Sequence, residues 1–270
     1  YFGGFGWGRS ERLFAMAIPV SGEPAFVCPA FEEERAREST GPDYEVRIWH
    51  EHENPFEVLK GIFIDAGNSA PRIAIEETVR FFEVHGLRNA APSFELVSGD
   101  PVTIGCRAVK SSKELEIMRR ANILTVQVWK AVHDRLEAGM TENDTSAIAR
   151  EEFTKRGVSG GGFVLHGPNA AYPHGTRNRI PLEEGMTVLI DGGCGLNDYR
   201  SDITRTWVFG DEPSKRQSQV WNLVKDAQSA ALAAARAGEP AGSVDDAARS
   251  VIEKGGFGAD YEYFAHRLGP

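Results

Sequence analysis

The chain has 270 residues, of which 41% are hydrophobic, so it can bury the core of one large domain or two of ordinary size. Its formal net charge of −9 provides no basic surface for nucleic acid, and no run approaches the roughly 18 apolar residues that a membrane helix needs. The three cysteines, Cys28, Cys106 and Cys194, are too few and too scattered for a disulfide framework or a cysteine-rich zinc site. These properties exclude nucleic-acid and membrane partners and favour a reducing, cytoplasmic compartment.

The N-terminal part of the chain predicts alternating strands and helices. Residues 12–27 hold two short apolar runs around a Ser-Gly-Glu-Pro turn, which predicts a β-hairpin. Residues 55–67 predict a helical lead-in followed by a buried strand at 61–65. Residues 71–86 predict a strand or a helix and then a helix that ends at Gly86.

A change of composition follows in the middle of the chain. Residues 98–112 combine Gly, Pro and Ser without a helical period, which predicts a connecting segment. We therefore expect a domain boundary near Val109, with one domain over residues 1–109 and a second over residues 110–270.

The second domain opens with helical signals. Ser111 lies three residues before Glu114, which is the spacing of a capping box, and a long amphipathic helix is predicted from there to Gly139. The apolar residues that define its predicted buried face are Leu115, Met118, Ile123, Val126 and Trp129. A further helix is predicted from Thr141 and Asp144 to Gly157.

The same plan recurs later in the chain. An Ala-rich helix is predicted from about residue 215 to 237, followed by a helix capped near Ser243. Residues 138–158 align without a gap with residues 237–257, a shift of 99 residues, and six of the 21 positions are identical. This repeat predicts two similar helix–helix–strand halves with a site between them. Chance similarity between two helices bounded by Ala and Gly is the alternative.

A pair of aspartates flanks a glycine-rich turn in the stretch VLIDGGCGLNDYRSDITRTWVFG, residues 188–210. Both arms have strand character, and a turn centred on Leu196 and Asn197 would place Asp191 directly opposite Asp202. Two carboxylates with Cβ atoms about 5 Å apart repel each other unless a proton or a cation lies between them. A divalent ion, or a pair of ions such as manganese, magnesium or zinc, is the natural counter-charge. Alternatively, one aspartate caps the turn and the other is solvated.

Three histidines are candidates for a functional role. His166 and His174 fall in loops rich in Gly and Pro, and His266 lies near the end of the sequence. Histidine is the usual proton-transfer group near neutral pH, although a lone loop histidine is more often solvated or structural. The remaining histidines lie on helical or polar stretches and are predicted to have no special role: His50, His52, His85 and His133.

These motifs resemble those of a known family, the creatinase/aminopeptidase P superfamily of "pita-bread" metallopeptidases, in particular Xaa-Pro aminopeptidases and Xaa-Pro dipeptidases (prolidases). The resemblance rests on GPNAAYPHG, VLIDGGCGLNDYRSDITRTWVFG and FAHRLG, with support from FGWGRSERLFAMAIPVSGEPAFVCPAFEEERARE. It implies an α/β (α+β) fold class, with a creatinase-like N-terminal domain over residues 1–109 and a pita-bread catalytic domain over residues 110–270.

The resemblance also implies roles for individual residues. Asp191 and Asp202 would be the first two of five metal ligands, His174 would bind substrate beside the metals, and His266 would handle the substrate or a proton. Members of the family use two divalent ions, with manganese, cobalt or zinc as candidates and manganese favoured, to cut the bond before proline in short peptides. A homodimer is also implied.

The sequence departs from the family pattern at its end. Where the family has a ligand histidine after HRLG, this chain has Pro270, and two ligand glutamates would follow in the family. Proline has no group that coordinates a metal. We therefore expect the sequence to be a piece of such an enzyme, incomplete at both ends, with little or no activity of its own.

Two other functions stay open. A non-catalytic binding protein on a pita-bread scaffold would explain the loss of a ligand at Pro270. A metal-independent amidinohydrolase of the creatinase type shares the fold, but such proteins generally lack the pair formed here by Asp191 and Asp202.

Overall fold

The computed structural model describes residues 1–8, 10–42, 44–67, 71–172, 175–210 and 212–258. The chain folds into two compact units, Tyr1–Val109 and Lys110–Pro270. Both units combine helices and strands, so the predicted mixed α/β class is confirmed.

The first unit alternates strands and helices along most of its length. Its elements are β1 (Ala15–Ala17), β2 (Ala25–Pro29), α1 (Glu33–Thr40), β3 (Glu45–Trp49), α2 (Pro55–Asp65), β4 (Arg72–Ile75), α3 (Phe81–Ala90), β5 (Glu95–Ser98) and α4 (Asp100–Ala108). β1 pairs with β2 in antiparallel fashion, which confirms the predicted hairpin, and β2 pairs with β3 in parallel. β4 and β5 form a separate parallel pair.

Helix α2 corrects one prediction in this unit, because the strand expected at residues 61–65 is helical. Asn54 caps this helix by accepting a hydrogen bond from the Phe56 amide at 3.0 Å, and a proline occupies the first turn. Leu59 and Ile62 are buried at helical spacing. A short apolar run does not separate a buried strand from a buried helix by periodicity, and here the capping signal was the decisive one.

Two other helix limits in the first unit were also predicted wrongly. α3 continues past Gly86 to Ala90. α4 forms within the stretch expected to be a connecting segment, since Pro101 lies in its first turn, where the missing amide hydrogen costs nothing.

The second unit places helices against an antiparallel sheet. Its elements are α5 (Ser112–His133), α6 (Glu142–Lys155), β6 (Gly160–His166), β7 (Thr187–Leu196), β8 (Tyr199–Arg200), β9 (Ile203–Val208), α7 (Lys215–Ala234) and α8 (Ala241–Lys254), with a 3-10 helix at Gly167–Ala171. β7 pairs with β6 on one side and with β9 on the other. The core between helices and sheet includes Val128, Trp129, Phe153, Val188 and Ile190.

Helix α5 begins with the predicted capping box, but its buried face differs from the predicted one. Of the five apolar residues proposed for that face, Trp129 is buried, whereas Ile123 and Val126 are 56% and 44% exposed. The buried stripe instead includes Ala121 and Thr125. Small residues allow the helix to approach the hairpin closely. A prediction of the buried face from large apolar residues does not detect them. The helix also ends at His133 rather than at Gly139.

The internal repeat appears in the helices. α6 and α8 have the same length of 14 residues and begin at positions 142 and 241, which is the predicted shift of 99 residues. α8 therefore begins two residues before Ser243, where its cap was predicted. The strand expected after α8 would begin at residue 259, outside the described residues.

Helix α6 carries a cluster of charged side chains around Glu152, which is itself 7% exposed. The Glu152 carboxylate accepts hydrogen bonds from Arg156, Lys155 and Arg135 at 2.7–2.9 Å. These hydrogen bonds lower the pKa of Glu152 to about 2, and the bond from Arg156 contributes most. In the described part of the chain, no helix is both long and apolar enough to cross a membrane.

Candidate metal centre

The turn of the hairpin formed by β7 and β9 is centred one residue further along than predicted. Leu196 pairs with Tyr199, so Asn197 and Asp198 occupy the turn, with φ angles of 45° and 65°. A two-residue hairpin turn of this kind requires left-handed backbone at both positions, which Asn and Asp adopt more readily than other residues with side chains. The predicted turn would have forced Leu196 into that conformation.

This register changes the partner of the first aspartate. Asp191 lies opposite Thr204 rather than opposite Asp202, so the predicted direct pairing of the two aspartates is wrong. The Thr204 hydroxyl donates a hydrogen bond to Asp191 Oδ1 at 2.5 Å. Asp202 precedes Thr204 by two residues, and in extended chain that spacing returns a side chain to the same face. The two aspartates are therefore diagonal neighbours across the hairpin.

Neither Asp191 nor Asp202 forms an ion pair with any described residue, although exposed arginines lie on the same hairpin. Their carboxylates are hard oxygen donors, the type that manganese, magnesium and zinc accept. Within the described ranges no three His, Cys, Asp or Glu side chains are grouped as a metal-ligand set would be.

Close backbone packing explains the two glycines after Asp191. A Cβ atom on Gly193 would lie 2.1 Å from the Ser201 carbonyl oxygen, and one on Gly192 would lie 2.3 Å from the Gly161 carbonyl oxygen. Gly192 also has a φ of 153°, which disfavours residues with side chains. At these two positions the neighbouring chain segments thus approach β7 too closely for any residue but glycine.

Helix α5 holds the far arm of the hairpin at two places. Thr125 and Ser201 are both buried, and their hydroxyl oxygens lie 2.7 Å apart. Ser201 Oγ also accepts a hydrogen bond from the Cys194 amide at 2.9 Å. Nearer the turn, the Tyr199 hydroxyl donates to the Glu114 carboxylate, and this bond contributes most to lowering the pKa of Glu114 to about 2.

These contacts fix the backbone next to a predicted ligand, because Ser201 directly precedes Asp202. From the sequence alone Glu114 is predicted only as a capping residue, and no role is predicted for Ser201 or Thr125. The signal available in the sequence was Thr125, a polar residue at a position on the buried face of α5.

The histidines predicted from sequence have different outcomes. His166 is the last residue of β6 and is fully buried, so its predicted loop position is wrong. Its ring nitrogens lie 3.4 Å from the Ile180 carbonyl oxygen and 3.4 Å from the Thr145 hydroxyl, and burial lowers its pKa. His174 and His266 lie outside the described residues.

A buried carboxylate that sequence reasoning missed lies beside His166. Glu142 is 1% exposed, and Asn169, which donates a hydrogen bond to it at 2.7 Å, is 7% exposed. Burial acts to raise the pKa of Glu142, but hydrogen bonds from Asn169 and from the backbone outweigh it, so the pKa is lowered. Glu142 is therefore a buried charge.

Comparison with known proteins agrees with this architecture. Residues 1–109 match the Creatinase/Prolidase N-terminal domain, and residues 116–270 match Metallopeptidase family M24. An uncharacterized peptidase of Schizosaccharomyces pombe is 36% identical over 279 residues, which cover 97% of this chain and 60% of that protein.

Solved structures give the same result. The dipeptidase PepE of Mycobacterium ulcerans is 30% identical with a TM-score of 0.85, and the match covers 97% of this chain and 70% of that one. A prolidase from Thermococcus sibiricus is 28% identical with a TM-score of 0.82, over 96% of this chain and 70% of that one. The chain thus spans 60–70% of the length of these relatives.

The matched ranges include both units, and the N-terminal match ends at the residue where the first compact unit ends. The M24 match alone extends over more than half of the sequence. This protein chain belongs to metallopeptidase family M24 and carries a creatinase/prolidase-type N-terminal domain ahead of the M24 domain.

Proposed function

We propose that this chain provides the aspartate pair of a binuclear metallopeptidase that hydrolyses the peptide bond before proline in short peptides. The observation that carries the proposal is the pair itself. Asp191 and Asp202 are diagonal neighbours on one hairpin, and no described residue forms an ion pair with either. Relatives named dipeptidase and prolidase support peptide hydrolysis, and the prolidase supports proline as the second residue.

Asp191 and Asp202 would hold divalent ions, manganese by preference and cobalt or zinc as alternatives. Bound divalent ions supply a nucleophilic water and polarise the scissile carbonyl. The protein's own part is to keep the donors in place. Thr204 fixes the orientation of the Asp191 carboxylate, and Ser201 fixes the backbone before Asp202.

The histidines would act on the substrate. In this proposal His174 binds the peptide, and His266 binds it or transfers a proton. The domain assignment is part of the same proposal, with an N-terminal domain over residues 1–109 and a catalytic domain over residues 110–270. Family resemblance further supports a homodimer, and the few, scattered cysteines favour the cytoplasm.

The experiment measures hydrolysis by the complete gene product that contains this sequence. The protein is stripped with a chelator, reloaded with manganese, cobalt or zinc, and given Ala-Pro, Ala-Gly and Ala-Pro-Ala. We expect metal-dependent cleavage of a substrate with proline in second position and at least tenfold slower cleavage of Ala-Gly. The relative rates on Ala-Pro and Ala-Pro-Ala separate a dipeptidase from an aminopeptidase. Cleavage that survives complete metal removal would contradict the proposal, as would metal binding without any cleavage.

A further inference from the structure

Glu142 joins both ends of one chain segment. It is the first residue of α6, and its Oε1 accepts a hydrogen bond from Asn169 Nδ2 at 2.7 Å. Its Oε2 accepts one from the Ile180 amide at 3.0 Å. Asn169 Nδ2 also donates to the Asn178 carbonyl oxygen at 3.1 Å. A single buried carboxylate therefore connects the beginning and the end of residues 167–180, which we call the 167–180 segment.

The rest of the first turn of α6 contacts the same segment. Asn143 Oδ1 accepts a hydrogen bond from Arg179 Nε at 3.2 Å. Thr145 lies beside His166, the residue that precedes the segment. The first turn of one helix thus meets the chain where it enters the segment and where it leaves it.

The chemistry of the contact explains why the residue is an acid. Burying a carboxylate is costly unless hydrogen bonds compensate, and Glu142 has donors on both of its oxygens. A carboxylate offers acceptors only, so it can serve the Asn169 amide and the Ile180 amide at the same time. An apolar residue of similar size would fill the space but would leave the Ile180 amide and one hydrogen of the Asn169 side-chain amide without an acceptor.

We propose that Glu142 is a positioning residue that holds residues 167–172 and 175–180, which flank His174 in the sequence, in the arrangement required to bind the peptide. The inference rests on the substrate-binding role proposed for His174. It assigns to Glu142 an effect on substrate binding and none on metal binding.

The test compares three variants of the complete gene product. Glu142→Met removes both acceptors at nearly constant volume. Glu152→Met makes the same change on the same helix, in the charged cluster that does not contact the segment. Glu142→Gln combined with Asn169→Asp exchanges donor and acceptor between the two side chains, so a hydrogen bond between them and the one from Ile180 can form again, while the bond to the Asn178 carbonyl oxygen is lost.

The first measurement is amide hydrogen exchange at residues 167–172 and 175–180, with metal and substrate absent. We expect at least tenfold faster exchange in Glu142→Met, wild-type exchange in Glu152→Met, and a return toward wild type in the double variant. Exchange in Glu142→Met equal to that in Glu152→Met would overturn the proposal whatever the activity of the protein.

The second measurement is steady-state hydrolysis together with manganese titration. Glu142→Met should raise KM for the dipeptide at least tenfold, change kcat by less than about threefold, and leave manganese affinity within twofold of wild type. A loosened segment with unchanged KM would overturn the proposal, and so would a loss of manganese affinity. A wild-type protein without peptidase activity would refute the proposed function instead, and the exchange data would still decide whether Glu142 holds the segment.

Discussion

Gly193→Ala should destabilise the second unit through a steric clash with the Ser201 carbonyl oxygen. The added Cβ would lie 2.1 Å from the Ser201 carbonyl oxygen, whereas carbon–oxygen contacts are normally about 3.3 Å or longer. The two strands must therefore separate by about 1 Å. That movement would weaken the Cys194–Ser201 backbone bond, now 3.0 Å, and the bond from the Cys194 amide to Ser201 Oγ.

The cost follows from these contacts. Overpacking costs about 1–3 kcal/mol, and each weakened hydrogen bond adds up to about 1 kcal/mol, so we expect a loss of about 2–4 kcal/mol. For a unit of this size that corresponds to a lowering of Tm by roughly 5–15 °C. Thermal unfolding followed by circular dichroism measures it.

Gly195→Ala is the matched control for this prediction. It lies two residues further along β7, its φ is not positive, and a Cβ there would meet nothing within 4 Å. Its Tm should stay within about 2 °C of wild type. Equal Tm values for Gly193→Ala and the wild type would show that the hairpin is not packed as described.

Three further predictions concern other groups. Glu152 has a folded-state pKa of about 2, below its unfolded value near 4.3, so it stabilises the fold above about pH 4.5 and loses this effect as pH falls toward 2. Glu152→Gln should remove that part of the acid sensitivity in urea titrations, and an unchanged pH profile would contradict this. Cys28, whose pKa burial raises to about 11, should resist iodoacetamide at pH 8 in the native protein, whereas the exposed Cys106 should react, as mass spectrometry would show. His174→Ala should lower kcat/KM, and His266→Ala should lower kcat, each by about 10²–10⁴ with metal content retained; loss of metal would indicate a ligand role instead.

The starts of helices α5 and α6 were predicted well from the sequence because the signals for a helix start are local. The capping box at Ser111 and the helix start at Thr141 depend on residues within one turn. The two-strand hairpin with its aspartates was recognisable for the same reason, since alternation and turn residues lie within a short stretch.

The parts that were predicted wrongly depend on contacts between distant residues or on fine turn geometry. The buried face of α5 is set by the close approach of Ala121 and Thr125 to Cys194 and Ser201, about 70–80 positions away in the chain. The hairpin register depended on which residues accept left-handed backbone, and moving the turn by one residue changed the partner of Asp191. Glu142 was missed because its partners follow it by 27 and 38 residues.

Calorimetric titration with manganese tests the central claim, that Asp191 and Asp202 bind metal, most directly. The metal-free complete gene product should bind two ions, and Asp191→Asn and Asp202→Asn should each weaken at least one of them about a hundredfold or more. Asp198→Asn, in the turn of the same hairpin, is the control and should bind as wild type, since asparagine also accepts its left-handed backbone. Wild-type manganese binding by both Asp191→Asn and Asp202→Asn would contradict the account.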